Sequence, residues 1–584
     1  MMEDPRAKKL YFEWEPQDDP EFAPLILGKG TIGGKGRSLL FALRKLRDSG
    51  DEELAKTKLP SSIYLSVEIF HRFLENVPGL RALLSCKEPR RVEEAFLAAP
   101  LPADARKFIE EFLAEMNDPV AIRSSSRLED DVKHSFAGKY LTTFLCNDKG
   151  GAAERAAAVE REVKRVYSRT FFPAAEEYRE RHRLGEDDMG IIIIRMAGRW
   201  RGRYYYPTIA GVGYSQNFRR WTTRIRQEDG LMRMVFGMGT MSTKRGYART
   251  VSLSNPILRP EGFSPEKIAA IAQESFHVID RDNPDALTTL DIKKEWRQLI
   301  KYHPDFSAYA QIYGYADGEG AFSQVMKNMS ALQPGTKICF TFDEFPQKYP
   351  GFYKRMKKTL KLLEAEMGLP ADMEFAYEPT EDSLCLIQSR PFWSNAQNEG
   401  GIPAVAEKQI LLQADRMVTH GSIAGISKII YVDYGRYYAN RDFYGTARLI
   451  GDINGASDEP YILVAPGRIG SSNPELGVPV QYSELTHCRV MVELGIPRLG
   501  FMPELSYGTH FFSDLEVDGV LYMPVFAGED RNIFNSEWFE GVECETCKND
   551  AVRVYRGSFA VYMDGETNRG VIVDKNLPQS GARR

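Results

Sequence analysis

The stretch Ala121 to Thr143, AIRSSSRLEDDVKHSFAGKYLTT, constrains this chain most, because it sets two anion-handling elements close together in an otherwise ordinary globular sequence. Pro119-Val120-Ala121-Ile122 is a short apolar run of strand character that delivers Arg123, followed by Ser124, Ser125 and Ser126. A strand end offering a guanidinium and hydroxyls suits phosphate oxygens, since the planar fork of arginine can bind two oxygens at once. The charged segment Arg127 to Lys133 reads as a turn, and Ser135-Phe136-Ala137-Gly138 then leads to Thr142 and Thr143. Small residues allow backbone N–H groups close to a polyphosphate. A plain strand-turn-strand with a solvated charge cluster has the same composition, so the rest of the chain must discriminate.

Two further segments bear on it. Gly28 to Leu40, GKGTIGGKGRSLL, is a glycine-dense loop running into a helix marked by Leu39, Leu40, Leu43 and Leu46. Glycine and lysine at a helix start make a place for phosphate. It is not a Walker motif, because Gly36 rather than Ser or Thr follows Lys35. Near the other end, Met373 to Ala376 and Leu384 to Pro391 read as two antiparallel strands joined by a turn at Pro379 to Asp382, which places Glu374 beside Gln388. A carboxylate and a carboxamide oxygen suit Mg²⁺ bridging nucleotide phosphates, and Arg390 can neutralise charge on a transferred phosphoryl group. A hairpin with polar edge residues is the competing reading.

In that order, these elements resemble the nucleotide-binding half of the pyruvate phosphate dikinase and phosphoenolpyruvate synthase family. Its ATP-grasp-like domain carries a valine-arginine-serine-serine strand and a serine-phenylalanine-alanine-glycine loop, and closes on glutamate and glutamine-x-arginine-proline, as do rifampin phosphotransferases. The resemblance implies an α+β fold: an ATP-grasp-like, two-lobed nucleotide-binding domain over about 20–395, with lobes of about 20–205 and 206–395, and then a smaller mixed α/β carboxyl-terminal domain over about 405–575. It implies ATP and Mg²⁺ as cofactors. Lys35, Arg123, Ser135, Ala137, Gly138, Thr142, Arg195, Gln388 and Arg390 would hold the nucleotide, Glu374 and Gln388 the metal, and Arg123 and Arg390 would act on the phosphoryl group. Adenine contacts are implied around Arg195 and Met196, although the family has glutamine where Arg195 aligns.

Between these motifs, Pro60 to Asn117 is expected to be mostly helical with a strand at Ile63 to Val67, Gly151 to Arg183 to form one or two helices, and Gly190 to Arg195 a buried strand. Ala210 to Phe218 resembles a further family segment. Gly237-Met238-Gly239-Thr240, with Lys244, Arg245 and Arg249 nearby, suits a polyphosphate or an exposed basic loop.

Beyond a polar linker at Trp393 to Ile402, roughly 180 residues remain, fewer than a pyruvate-binding barrel of about 250 needs. Leu485-Thr486-His487-Cys488 only partly echoes the family's phosphohistidine motif, so His487 is expected to be an ordinary helix residue. Tyr461 to Val480 is a strand feeding Pro466-Gly467-Arg468 and Gly470-Ser471-Ser472, and Tyr507 to Phe512 carries His510. This region resembles proteins known as phosphoenolpyruvate/pyruvate-binding-domain proteins, in which PGRxGSS and GTHFF recur. His510 is a candidate phosphate acceptor, imidazole being a competent nucleophile, or else a half-buried structural histidine; His420 is a weaker candidate.

A net charge of −5 over 584 residues gives no electrostatic case for nucleic acid or an anionic membrane, and no apolar run spans a bilayer. Seven scattered cysteines fit reduced thiols in the cytosol, and Cys544-Glu545-Thr546-Cys547 offers only half a zinc site. The expected function is an ATP-dependent phosphotransferase with an unidentified acceptor. The alternative is a catalytically silent nucleotide sensor or scaffold. A homo-oligomer stays open.

Overall fold

The computed structural model describes residues 5–85, 88–126, 140–172, 176, 179, 185, 187–217, 226–241, 248–258, 264–270, 272–316, 319–326, 331–391, 402–457, 459–471, 473–480, 484–497, 505, 515, 520–565 and 567–578. Helices and strands are mixed throughout, and the chain divides into two compact units. The first comprises Met1–Gln216 with Glu228–Trp393, and the second Asn217–Gln227 with Ser394–Arg584.

In the first unit, one five-stranded sheet runs in the order Ile26–Leu27, Ser62–Leu65, Met189–Arg195, Val120–Ser126, Thr142–Leu145. The apolar run before Arg123 and the isoleucines before Arg195 pair antiparallel at the centre, with Ile122 opposite Ile193. β-branched residues here are buried on both faces, which is why the run does not alternate. Four helices, Val67–Glu75, Leu80–Ser85, Pro89–Ala98 and Ala103–Ala114, follow the first full strand, and Ala152–Arg169 is a single helix. A second five-stranded sheet, antiparallel throughout, runs Arg249–Ser252, Leu231–Phe236, Ile209–Tyr214, Ala371–Glu378, Ser383–Pro391. Four- and three-stranded sheets complete the unit.

The glycine-dense loop does lead into a helix, Gly33–Asp48. Leu39, Leu40, Leu43 and Leu46 are all buried, each contributing about 2 kcal/mol relative to exposure. The apolar period therefore dictates both the helix and the face it turns inward.

The second unit is built on one large sheet in which Gly421–Val432, Tyr461–Pro466, Cys488–Gly495 and Leu521–Phe526 are parallel neighbours. Val552–Asp564, Arg569–Asp574 and Ile410–Ala414 continue it antiparallel. His487 corrects an expectation: it lies in a turn, its N–H donating to Asn454 Oδ1 at 3.0 Å, and a strand rather than a helix follows. Apart from Arg489, Cys488 to Gly495 is a short, mostly apolar run buried between the parallel strands Tyr461–Pro466 and Leu521–Phe526, so the sheet takes it. His510 and its GTHFF segment, the linker through residue 401 and Ser472 lie outside the described residues. Cys544 and Cys547 flank the two-residue strand Glu545–Thr546 and pack against different hydrophobic clusters. Among the described residues no helix is long and apolar enough to cross a membrane.

An acid-sensitive cluster closes one part of this sheet. Glu459 accepts from Ser427 and Arg556 and lies 3.5 Å from the buried Lys428 ammonium; those hydrogen bonds, Ser427 first, hold its carboxyl down to about 2 from an ordinary 4.5. Because the folded value lies below the unfolded one, this stabilisation is present above about pH 4.5 and is lost as pH falls toward 2. Thermal unfolding of Glu459→Gln and the unaltered protein is expected to differ most at neutral pH, to draw together below about pH 4.5 and to converge only as pH falls to about 2. A constant difference across that range would refute the assignment.

Candidate nucleotide site

Three segments of the first unit meet around Arg123. The hairpin Ala371–Glu378 and Ser383–Pro391 turns at Pro379–Glu381 with Asp382 at φ +47°, and its register sets Glu374 opposite Gln388, as expected, although simple counting from the turn would pair Glu374 with Ile387. Immediately after that pair the register slips by one residue, since Phe375 faces Leu386. Ile387 is the extra residue of this bulge, and bulges re-aim the groups beside them. The Ile387 carbonyl accepts from Arg123 Nη1 at 2.9 Å. Arg123 Nη2 donates to Gln388 Oε1 and lies 3.6 Å from Glu374 Oε2. One guanidinium, 12% exposed, thus joins a strand near residue 123 to a carboxylate and a carboxamide over 250 residues later.

The Gly33–Asp48 helix fixes this arrangement from behind. The Gly36 N–H donates to Ser125 Oγ at 2.9 Å, and Ser38 Oγ donates to the Ser389 carbonyl, between Gln388 and Arg390. Lys35, in the first helical turn, is therefore placed by neighbours bonded to both the arginine strand and the hairpin. Gly33 has φ +78°, and a Cβ there would sit 1.6 Å from the Ser125 carbonyl oxygen. Only glycine allows this approach.

The three serines after Arg123 do not present their hydroxyls as expected, for Ser124, Ser125 and Ser126 are each 0% exposed. Both faces of the strand are covered, so Ser125 serves the helix start and Arg123 alone of this run is partly open. Thr142 faces Arg123 across the neighbouring strand, on the same side of the sheet, and is half-buried. Ser135, Ala137 and Gly138 lie outside the described residues, as do Lys244 and Arg245. Arg249 is 8% exposed and donates to the carbonyls of Thr250 and Leu258, so it belongs to the sheet and not to a basic loop.

Arg195 ends its strand as expected, with its guanidinium 3.2 Å from Asp118 Oδ2. The next residue, Met196, donates its N–H to the Pro119 carbonyl at 2.8 Å and accepts from Tyr205 Oη at 2.7 Å. Arg390 Nε donates to Asp372 Oδ2 at 2.7 Å. Asp372 is a residue that motif reading passes over. It is 3% exposed, and burial pushes its carboxyl up against the opposing pull of Arg390. Its signal was available in the strand pattern, since the register that pairs Glu374 with Gln388 also pairs Asp372 with Arg390.

Chemically, the site offers cations on two sheets, a helix start bearing lysine, and two oxygen donors side by side. Among the described residues no group of three histidine, cysteine, aspartate or glutamate side chains is placed to hold a metal, so any metal bound by the Glu374–Gln388 pair would need further oxygens from a ligand.

The family described as pyruvate phosphate dikinase, AMP/ATP-binding domain, matches residues 29–409, more than half of the chain. The prodigiosin synthesizing transferase PigC of Serratia marcescens is 32% identical over 114 residues, which is 19% of this chain and 12% of that protein.

Proposed function

Because this chain belongs to the pyruvate phosphate dikinase AMP/ATP-binding domain family, we propose that it is an ATP-dependent phosphotransferase whose acceptor is a small molecule or a protein histidine. The observation that supports this most is the junction of Arg123 with Gln388, Ile387 and Glu374, which assembles a cation and two metal-compatible oxygens from distant segments. In this reading the first unit forms a two-lobed ATP-grasp-like domain over about 20–395, and residues of about 405–575 form the smaller partner domain.

Phosphoryl transfer asks little covalent chemistry of a protein; it asks for positioning and for charge neutralisation. Arg123 binds phosphate oxygens with its planar fork, exchanging the Gln388 and Ile387 oxygens for those of the nucleotide. Lys35 meets the polyphosphate at the helix start, where the helix dipole adds to its charge. Arg390, oriented by Asp372, neutralises charge that develops as the bond to the acceptor forms and the bond to the leaving nucleotide breaks. Thr142 lies beside Arg123 and closes the phosphate end. Released from Arg123, Glu374 and Gln388 present a carboxylate and a carboxamide oxygen that would hold Mg²⁺, whose charge would offset that of the phosphates. Ser135, Ala137, Gly138 and Arg195 complete the proposed nucleotide contacts.

Incubation of the purified protein with Mg²⁺ and ATP labelled at the β or γ phosphate, alone and with cell extract, is expected to move label to an acceptor. Absence of both ATP consumption and label transfer, with ATP still bound, would leave a nucleotide sensor. His510→Asn separates relay from direct transfer: label on the protein is expected to disappear, and unchanged labelling excludes a relay through His510.

A further inference from the structure

The glycine turn ahead of Lys35 is held from outside by a segment that takes no part in the chemistry above and lies ahead of the family-matched residues. Residues 11–22 run beside the Gly33–Asp48 helix. Tyr11 and Phe22 are each 1% exposed, and the Tyr11 and Trp14 rings meet Phe41 of the helix at centroid distances of 5.0 and 5.6 Å. Three arginines of the helix tie the segment in sequence. Arg37 donates to the carbonyls of Tyr11 and Phe12 at 3.2 and 3.0 Å, Arg44 pairs with Asp19, and Arg47 pairs with Glu21. Spacings of seven and three residues place these arginines along one face of the helix. Gln17 lies between the ties. Its side-chain amide donates to the Gly30 carbonyl and, at 3.5 Å, to that of Gly28.

Gly28 and Gly30 both have positive φ, at +85° and +81°. Glycine peptides in such turns can rotate and exchange an N–H for a carbonyl on a given side at little steric cost. For an anion that exchange matters, because a carbonyl oxygen repels where an N–H attracts. An amide donor fixed on the two carbonyls opposes the rotation.

We propose that residues 11–22 are a built-in brace for the phosphate turn, and that Gln17 is a positioning residue that sets nucleotide affinity by holding the Gly28 and Gly30 carbonyls in one orientation. The proposal rests on the reading of that turn as a polyphosphate site. Gln17 itself is half-buried and outside the hydrophobic core, so its loss should leave global stability almost unchanged.

The test uses the full chain with Gln17→Ala and Gln17→Glu, the second keeping the shape while replacing the donor with an acceptor. Two measurements are made: amide hydrogen exchange over residues 28–34 without nucleotide, and ATP affinity by calorimetry. Both variants are expected to exchange faster across the turn and to bind ATP about five- to tenfold more weakly, Gln17→Glu more so, with unchanged melting temperature. Unchanged exchange in Gln17→Glu overturns the brace, whether or not ATP binds. Faster exchange with unaltered ATP affinity overturns the positioning role. If the unaltered protein binds no ATP, the phosphate reading of the turn fails, and with it the positioning role, whatever the exchange shows.

Discussion

Arg123→Ala is expected to lower ATP turnover at least about 100-fold while leaving a folded protein, because one preorganised donor at developing phosphoryl charge contributes on that scale. The guanidinium makes three contacts, with the Ile387 carbonyl, Gln388 and Glu374, and all three belong to one hairpin. Arg123→Lys is the sharper variant. It retains the charge but replaces a rigid fork with a single point donor, so it should recover ATP binding better than it recovers turnover. Steady-state turnover together with binding affinity decides the matter. Full turnover in Arg123→Ala would remove the junction from the mechanism.

Gly33→Ala is the second large effect and acts through the fold. The added carbon would lie 1.6 Å from the Ser125 carbonyl oxygen in a backbone of φ +78°, so both strain and overlap must be relieved. Left-handed strain of about 1 kcal/mol and overpacking of about 1–3 kcal/mol give a destabilisation of about 2–4 kcal/mol. Relief requires the helix start to move away from Ser125, which also breaks the Gly36-to-Ser125 bond and displaces Lys35. Denaturant unfolding is expected to show the loss, and ATP affinity should fall with it. Neutral behaviour in both measurements would mean that the helix start is not packed as described.

Much of this site was legible in order along the chain. Alternation and turn residues were enough to bring Glu374 near Gln388 on paired strands, but counting outward from the Glu378–Ser383 pair would set Glu374 opposite Ile387, and the bulge at Ile387 is what brings Gln388 into place. Leucine spacing foretold the Gly33–Asp48 helix and its buried face. Other features were not legible. The serines after Arg123 look like ligands in a motif, yet sheet and helix cover them, and burial depends on neighbours remote in sequence. Arg249 reads as a loop cation and is a sheet residue whose guanidinium satisfies backbone carbonyls. His487 lies in a turn ahead of a strand and not in a helix, because a short apolar run does not reveal whether a strand or a helix buries it.

The sequence by itself determined the donor groups and the local elements that carry them, since hydrophobic period, glycine position and turn chemistry act over a few residues. Tertiary structure decided which donors meet. Arg123 reaches Glu374 and Gln388 because a bulge at Ile387 turns a carbonyl toward it and because Ser125 and Ser38 bind one helix to both strands. These contacts span 89 to 351 residues of chain, and their geometry follows from the packing of buried surfaces, which no local pattern encodes.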